Sequence, residues 1–158
     1  MPHVRTWAVA LLLLAASATA PGLRAAPDEI PAWAKVSEAQ TAAARAEGVP
    51  VAFENGVGIR FVLVPAGTFT MGSAASEAAR DLDEVPHEVT LSRPRYVQVT
   101  ETTNEQVRRW RPDHDAKGRF PGGRYPATLL SWEDAKAFAA WLTEQDGTRT
   151  YDLPTEAE

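Results

Sequence analysis

The sequence predicts an irregular α/β (α+β) domain, incomplete at its C-terminus and carried behind an export signal. Three observations predict it. Short apolar or alternating runs at 60–64, 66–73, 87–91 and 96–100 have strand spacing, and capping boxes at Thr103 and Ser131 open two helices after them. Twelve Pro and ten Gly among 158 residues favour loops over long regular elements. The chain ends on Leu153-Pro154-Thr155-Glu156-Ala157-Glu158, where Thr155 and Glu158 make a capping box with no helix body behind it. A first turn fixes several dihedrals for one hydrogen bond, so a helix that ends as it nucleates has no stability of its own. The chain therefore reads as the front part of a longer protein.

Composition narrows the function classes. A hydrophobic content of 44% is enough for one domain with a core. Sixteen basic against 21 acidic residues leave a net charge of −5, with no electrostatic footprint for nucleic acid. Arg108, Arg109 and Arg111 form the one short basic run and read as a solvated helix face rather than a phosphate site. There is no cysteine, which excludes disulfides, thiolate catalysis and thiolate metal sites within this chain.

Residues 1–26 read as a signal peptide. His3 and Arg5 give a weakly basic start, and Ala8 to Ala16 with Leu11-Leu12-Leu13-Leu14 form an apolar core too short to span a bilayer. Ala16-Ser17-Ala18 and Ala18-Thr19-Ala20 both fit the cleavage pattern. Pro21 disfavours the second, so cleavage is expected after Ala18, with Ala26 as a later option. No cysteine sits at the junction to take a lipid anchor. The expected location is periplasmic or secreted, with no integral membrane segment once the signal is cut.

Residues 27–57 read as a linker and a short lead-in helix. Pro21, Pro27 and Pro31 give residues 21–36 a linker composition; Ser37 and Gln40 then cap an Ala-rich helix that Gly48 stops, peripheral for want of apolar bulk. The main domain is placed at 58–158. Arg60-Phe61-Val62-Leu63-Val64 is a continuous apolar run ended by Pro65, as in a strand buried on both faces. Ala66 to Ser73 is a second short strand between turns, and Ala74 to Glu84 an acidic surface loop. His87 to Leu91 and Tyr96 to Thr100 alternate, with Val97 and Val99 on one face, and Ser92-Arg93-Pro94-Arg95 would join them as a hairpin. Thr103 with Gln106 caps a helix that must end before Pro112. Residues 111–126, with Pro121-Gly122-Gly123, make a long loop. Ser131 with Asp134 caps a helix over 132–144, whose Ala135, Phe138, Ala139 and Leu142 must face a core; Gly147 ends it.

Few residues carry chemistry. Asp113-His114-Asp115 offers a nitrogen and oxygens to a metal, but no third ligand at suitable spacing accompanies it, so it reads as a surface loop. His87 lies in an alternating strand. Glu156 and Glu158 suit the positive end of a helix dipole better than a catalytic carboxylate pair. No Ser-His-Asp order, phosphate loop or dinucleotide fingerprint is present. No catalytic, cofactor-binding or metal residue is assigned.

Order and wording add a resemblance. Phe61-Val62-Leu63-Val64-Pro65-Ala66-Gly67-Thr68-Phe69-Thr70-Met71-Gly72-Ser73 resembles the opening of the formylglycine-generating enzyme (sulfatase-modifying factor) domain. Asp83 to Leu91, Val99-Thr100-Glu101-Thr102-Thr103-Asn104, Tyr125-Pro126 through Ser131-Trp132-Glu133-Asp134-Ala135, and Leu153 to Glu158 resemble its later segments in the same order. The last is similar to the start of "R-L-P-T-E-A-E-W-E". Asp152 stands where the family usually has a basic residue, and Tyr125 where it usually has His.

The resemblance implies an irregular fold related to C-type lectins. For a complete catalytic member it implies oxidation of a polypeptide cysteine to formylglycine, an oxygen-dependent oxidoreductase reaction using copper on a cysteine pair, with calcium as a structural ion. Those ligands lie downstream of the last segment, so none maps onto a residue here, and this part alone is not expected to be active. The partner implied is a sulfatase-like polypeptide substrate. The alternative is a non-catalytic, lectin-like binding module of the same fold.

Overall fold

The computed structural model describes residues 13–14, 29–74, 76–78, 80, 84–115 and 122–158. The expected signal peptide lies outside them except for Leu13–Leu14, and so do parts of the acidic loop and of the 111–126 loop.

A four-stranded sheet forms the centre. Its strands are Leu13–Leu14 (β1), Ala52–Glu54 (β2), Arg60–Val64 (β3) and Arg95–Gln98 (β6), in the order β1-β6-β3-β2 with every pair antiparallel. Register places Phe53 opposite Phe61 and Leu63 opposite Tyr96. The rings follow from that register: Phe53 stacks on Phe61 at 5.0 Å and meets Tyr96 edge-on at 4.9 Å. Aromatic pairs of this geometry contribute about 0.5–1.5 kcal/mol each beyond the area they bury. Asn55 turns β2 into β3, its Oδ1 accepting from the backbone of Val57 and Ile59.

Helix α3, Trp132–Asp146, closes the core over this sheet. Its capping box at Ser131 is complete and Gly147 ends it in the left-handed region. Ala135, Phe138, Ala139 and Leu142 are all buried, as the 3.6-residue spacing requires. Tyr151, just beyond, packs edge-on against Phe61 at 5.8 Å. Helix α2, Asn104–Trp110, is capped by Thr103 and stops before Pro112; its Trp110 reaches Phe138 at 5.8 Å. Helix α1, Glu38–Glu47, has the Ser37–Gln40 box and the Gly48 stop. It is less peripheral than its composition implies: Ala44 is fully buried, and Gln40 Nε2 donates to the Leu63 carbonyl at 2.7 Å.

Three expectations are corrected. First, β5 (His87–Leu91) and β6 do not form a hairpin. β5 pairs with β4 (Gly67–Met71) in a separate two-stranded ribbon, while β6 joins β3. The 92–94 link, whose Pro94 lacks a donor, is a connector between sheets. Second, β6 buries Tyr96 and Gln98, not Val97 and Val99. The phenol decides the face: its ring meets Phe53 and its hydroxyl donates to the Pro50 carbonyl at 2.5 Å. Third, β3 is buried on one face. Phe61 and Leu63 are inside, whereas Val62 and Val64 are half-buried. The short strand β2 and the buried Val51 before it carry too few residues for a period to show in sequence.

The chain's last turn is partly formed. The Thr155 backbone donates to Glu158 Oε2 at 3.1 Å, and Glu158 N to the Thr155 carbonyl at 3.2 Å. Glu158 is ion-paired with Arg95 of β6. Asp152 pairs with Lys136 of α3, so the acid at that position is engaged by a base on the helix. Among the described residues no helix is long and apolar enough to cross a membrane.

Candidate functional site

The sheet and α2 leave a cleft of about 680 Å³ between them. Four chain segments form it. The β2–β3 turn supplies Glu54, Gly58 and Arg60; the β6–α2 link supplies Val99 and Glu101; α2 supplies Glu105 and Arg109; and the 122–126 segment supplies Arg124 and Pro126. Trp33, from the lead-in before α1, closes one side.

Backbone hydrogen bonds fix these walls. Asn104 N donates to the Tyr125 carbonyl and Glu105 N to the Gly123 carbonyl, both at 2.9 Å; Ala127 N donates to the Thr102 carbonyl at 2.8 Å. The first orphan donors of α2 are thus satisfied by the 122–126 segment. The buried Asn104 adds a side-chain bond to the Gly122 carbonyl at 3.0 Å. Gln106 uses its oxygen for the capping box and donates Nε2 to the Gly58 carbonyl at 3.0 Å, tying α2 to the β2–β3 turn.

The cleft is polar and of mixed charge. Arg60 pairs with Glu54 at 2.7 Å and lies 5.1 Å over the Trp33 ring. Arg109, Arg124, Glu101 and Glu105 are exposed, and their side chains make no ion pair or hydrogen bond among the described residues. Glu105 leans over Gly123 instead of towards Arg109, and a Cβ at Gly123 would stand 3.5 Å from its Oε2. Such a surface can bind and orient a charged or polar chain; among the described residues no thiol or imidazole lines it.

The residues weighed from sequence fall elsewhere. His87 is exposed, its Nδ1 2.8 Å from the Val85 carbonyl. His114 corrects the reading of 113–115 as a plain surface loop: Asp113 and Asp115 are exposed, but His114 is only 7% exposed and its Nε2 has no hydrogen-bond partner among the described residues. Burial first, then the positive charges of Arg108 and Arg111, lower its basicity from the ordinary value. Arg111 is no mere solvated residue either, since it bonds Asp134 at 2.5 Å and stacks on Trp110 at 4.3 Å. That hydrogen bond holds the Asp134 carboxyl below the usual range. Glu158 is engaged with Arg95, and no group of three metal-ligating side chains forms among the described residues. Among the described residues no donor set fits the copper or calcium implied by resemblance for a complete catalytic member: the chain has no thiolate for copper, and no three carboxylate or imidazole groups converge.

The cleft was not legible in the sequence. Arg109 was visible only as part of a basic run, and nothing at any fixed spacing links Trp33, Arg60 and Arg124.

The model of the sulfatase-modifying factor enzyme 1-like domain matches residues 46–158. Among solved structures, PvdO from Pseudomonas aeruginosa is similar, with a TM-score of 0.54 and 27% identity over 61% of this chain and 44% of PvdO. The chain thus spans less than half the length of that protein. No curated protein matches.

Proposed function

Because the chain belongs to the sulfatase-modifying factor enzyme 1-like family, we propose that it is the N-terminal part of an exported formylglycine-generating-type protein. In complete form that protein oxidises a polypeptide cysteine to formylglycine with oxygen, and the residues described here bind and position the polypeptide. The observation that carries the reading is the family match over 46–158, in which the five motif segments run in order. The apolar run at 8–16 followed by small residues supports export. The chemistry itself is left to residues beyond the visible chain, since the redox ligands of the family are cysteines and this chain has none.

One observation favours the second reading, a non-catalytic binding module. The cleft is a mixed-charge surface with an aromatic wall, the composition of a binding groove.

The test uses the complete protein from its natural source, incubated with oxygen and a cysteine-containing sulfatase-type peptide. Conversion of the cysteine to an aldehyde, seen by mass and by hydrazide capture, is the expected result. Binding of the peptide without conversion, in protein that carries its full metal content, decides for the module. N-terminal sequencing of the exported protein should show a start after Ala18, or no later than Pro27; a soluble protein beginning at Met1 sinks the export claim.

A further inference from the structure

We propose that the cleft beside α2 docks a polypeptide segment of mixed charge, with Arg109 and Arg124 taking an acidic side chain and Glu101 and Glu105 a basic one. This rests on the reading above that a polypeptide is the partner, and names the charge pattern it must carry.

The argument starts from which charges are already satisfied. Arg60 is neutralised by Glu54 and covered by Trp33, so that pair belongs to the wall. Four charges remain, two of each sign. Glu105 and Arg109 stand i, i+4 along one helix, the spacing at which an acid and a guanidinium ordinarily close on each other. Here they do not pair, because the Glu105 carboxylate lies over Gly123. Gly123 holds that position through its backbone, its carbonyl accepting from Glu105 N at 2.9 Å, while a Cβ there would only touch the carboxylate at an ordinary 3.5 Å. The wall therefore keeps opposite charges separate and available within a cleft whose backbone is pinned on both sides.

A partner with complementary charges gains from all four; one of a single sign gains from two and meets repulsion from the others. This disfavours nucleic acid and anionic lipid, which would set uniform negative charge against Glu101 and Glu105. Guanidinium groups suit a carboxylate through paired N–H donors. Val99 and Pro126 add apolar surface to the same cleft for the chain connecting the two charged side chains.

The experiment titrates the full-length protein into four fluorescein-labelled peptides of equal length: one with an acidic and a basic residue, one acidic, one basic, one uncharged. Anisotropy gives each affinity, at low and at high salt. The mixed-charge peptide should bind about tenfold or more tighter than the uncharged one, and lose that margin at high salt. Combining Arg109→Glu with Arg124→Glu should weaken the mixed and acidic peptides by about tenfold, leaving the uncharged one unchanged. Both side chains are exposed and unpaired, so the variant should keep the parent's thermal melt; Arg109→Gln with Arg124→Gln should move affinity the same way by less.

Equal affinity for all four peptides, or no response to charge reversal, overturns the proposal. So does binding of an acidic oligosaccharide with no peptide bound. The oxidation assay separates this from the broader reading. Cysteine oxidation with no charge preference sinks the docking proposal alone, whereas charge-dependent docking without oxidation sinks the oxidase and leaves docking intact.

Discussion

Gly72 shows how a single residue can be tied to its place by backbone geometry. It has φ +110, and a Cβ there would lie 2.8 Å from the Val85 carbonyl oxygen and 2.9 Å from Pro86 Cα. Neither is the far end of a side chain that can swing away. Gly72→Ala should therefore destabilise the domain by about 1–3 kcal/mol, combining steric overlap with a backbone region alanine avoids. The urea midpoint of the complete domain reads this directly, and an unchanged midpoint refutes the close approach. His114 makes a second residue-scale case. Its ring is buried beside two guanidinium groups, so the folded state binds its proton less readily than the unfolded chain. Stability is then full above the ordinary value of 6.5 and falls as pH drops below it, because the unfolded state takes up more protons there. Thermal melts across that window should show the slope, and His114→Gln should flatten it. A slope that survives the substitution assigns it to another group.

Helix α3 carries the clearest case at the scale of an element. Phe138 and Leu142 are buried, and Phe138 stacks on Trp141 at 5.7 Å and meets Trp110. Truncating either to Ala should cost about 2–5 kcal/mol in the complete domain. Trp132, on the same helix but 64% exposed, should cost little when replaced by Ala. Denaturant unfolding of the three variants checks the face: similar losses for all three would mean the stripe is misplaced. The end of α3 is fastened separately. Burial works to raise the Asp146 carboxyl, but bonds from Thr148 and Tyr151 and the charge of Arg149 outweigh it and hold it below the usual range. Tyr151 gives its hydroxyl to Asp146 at 2.5 Å, while Arg149 lies 4.0 Å over Phe53. This joins the helix end to the sheet through charge as well as packing.

At the scale of the whole molecule, the β4–β5 ribbon carries apolar side chains that do not join the core. Phe69 and Val89 face each other across the β4–β5 ribbon, yet Phe69 is 41% exposed and none of Phe69, Met71, Val89 and Leu91 joins the core cluster. Exposed surface of this kind favours association. Residues 27–158 produced alone should melt broadly or self-associate, since their net charge of −7, from 14 basic and 21 acidic residues, slows aggregation without adding folding energy. Phe69→Lys should reduce that association. Sedimentation and calorimetry test both: a sharp two-state melt of a monomer, with α3 protected from hydrogen exchange, would show that this half folds by itself.

What the chain's letters determined is local. Ser37, Thr103 and Ser131 announce three helices because a capping box is a contact within four residues, and Gly48 and Gly147 end two of them because few other residues accept a left-handed φ. The stripe of α3 was legible because its period repeats along one element. Motif order likewise named the family before any contact was known. The sheet partner of β5, the buried face of β6 and the place of β2 were not legible, since short strands pair equally well in several ways until the rest of the core is present. Tyr96 faces inward because Phe53 and the Pro50 carbonyl wait there, over 40 residues earlier in the chain. The cleft belongs to the same class: Trp33, Arg60, Arg109 and Arg124 meet only through the tertiary structure, because charge and aromatic contacts act across space and leave no period in sequence.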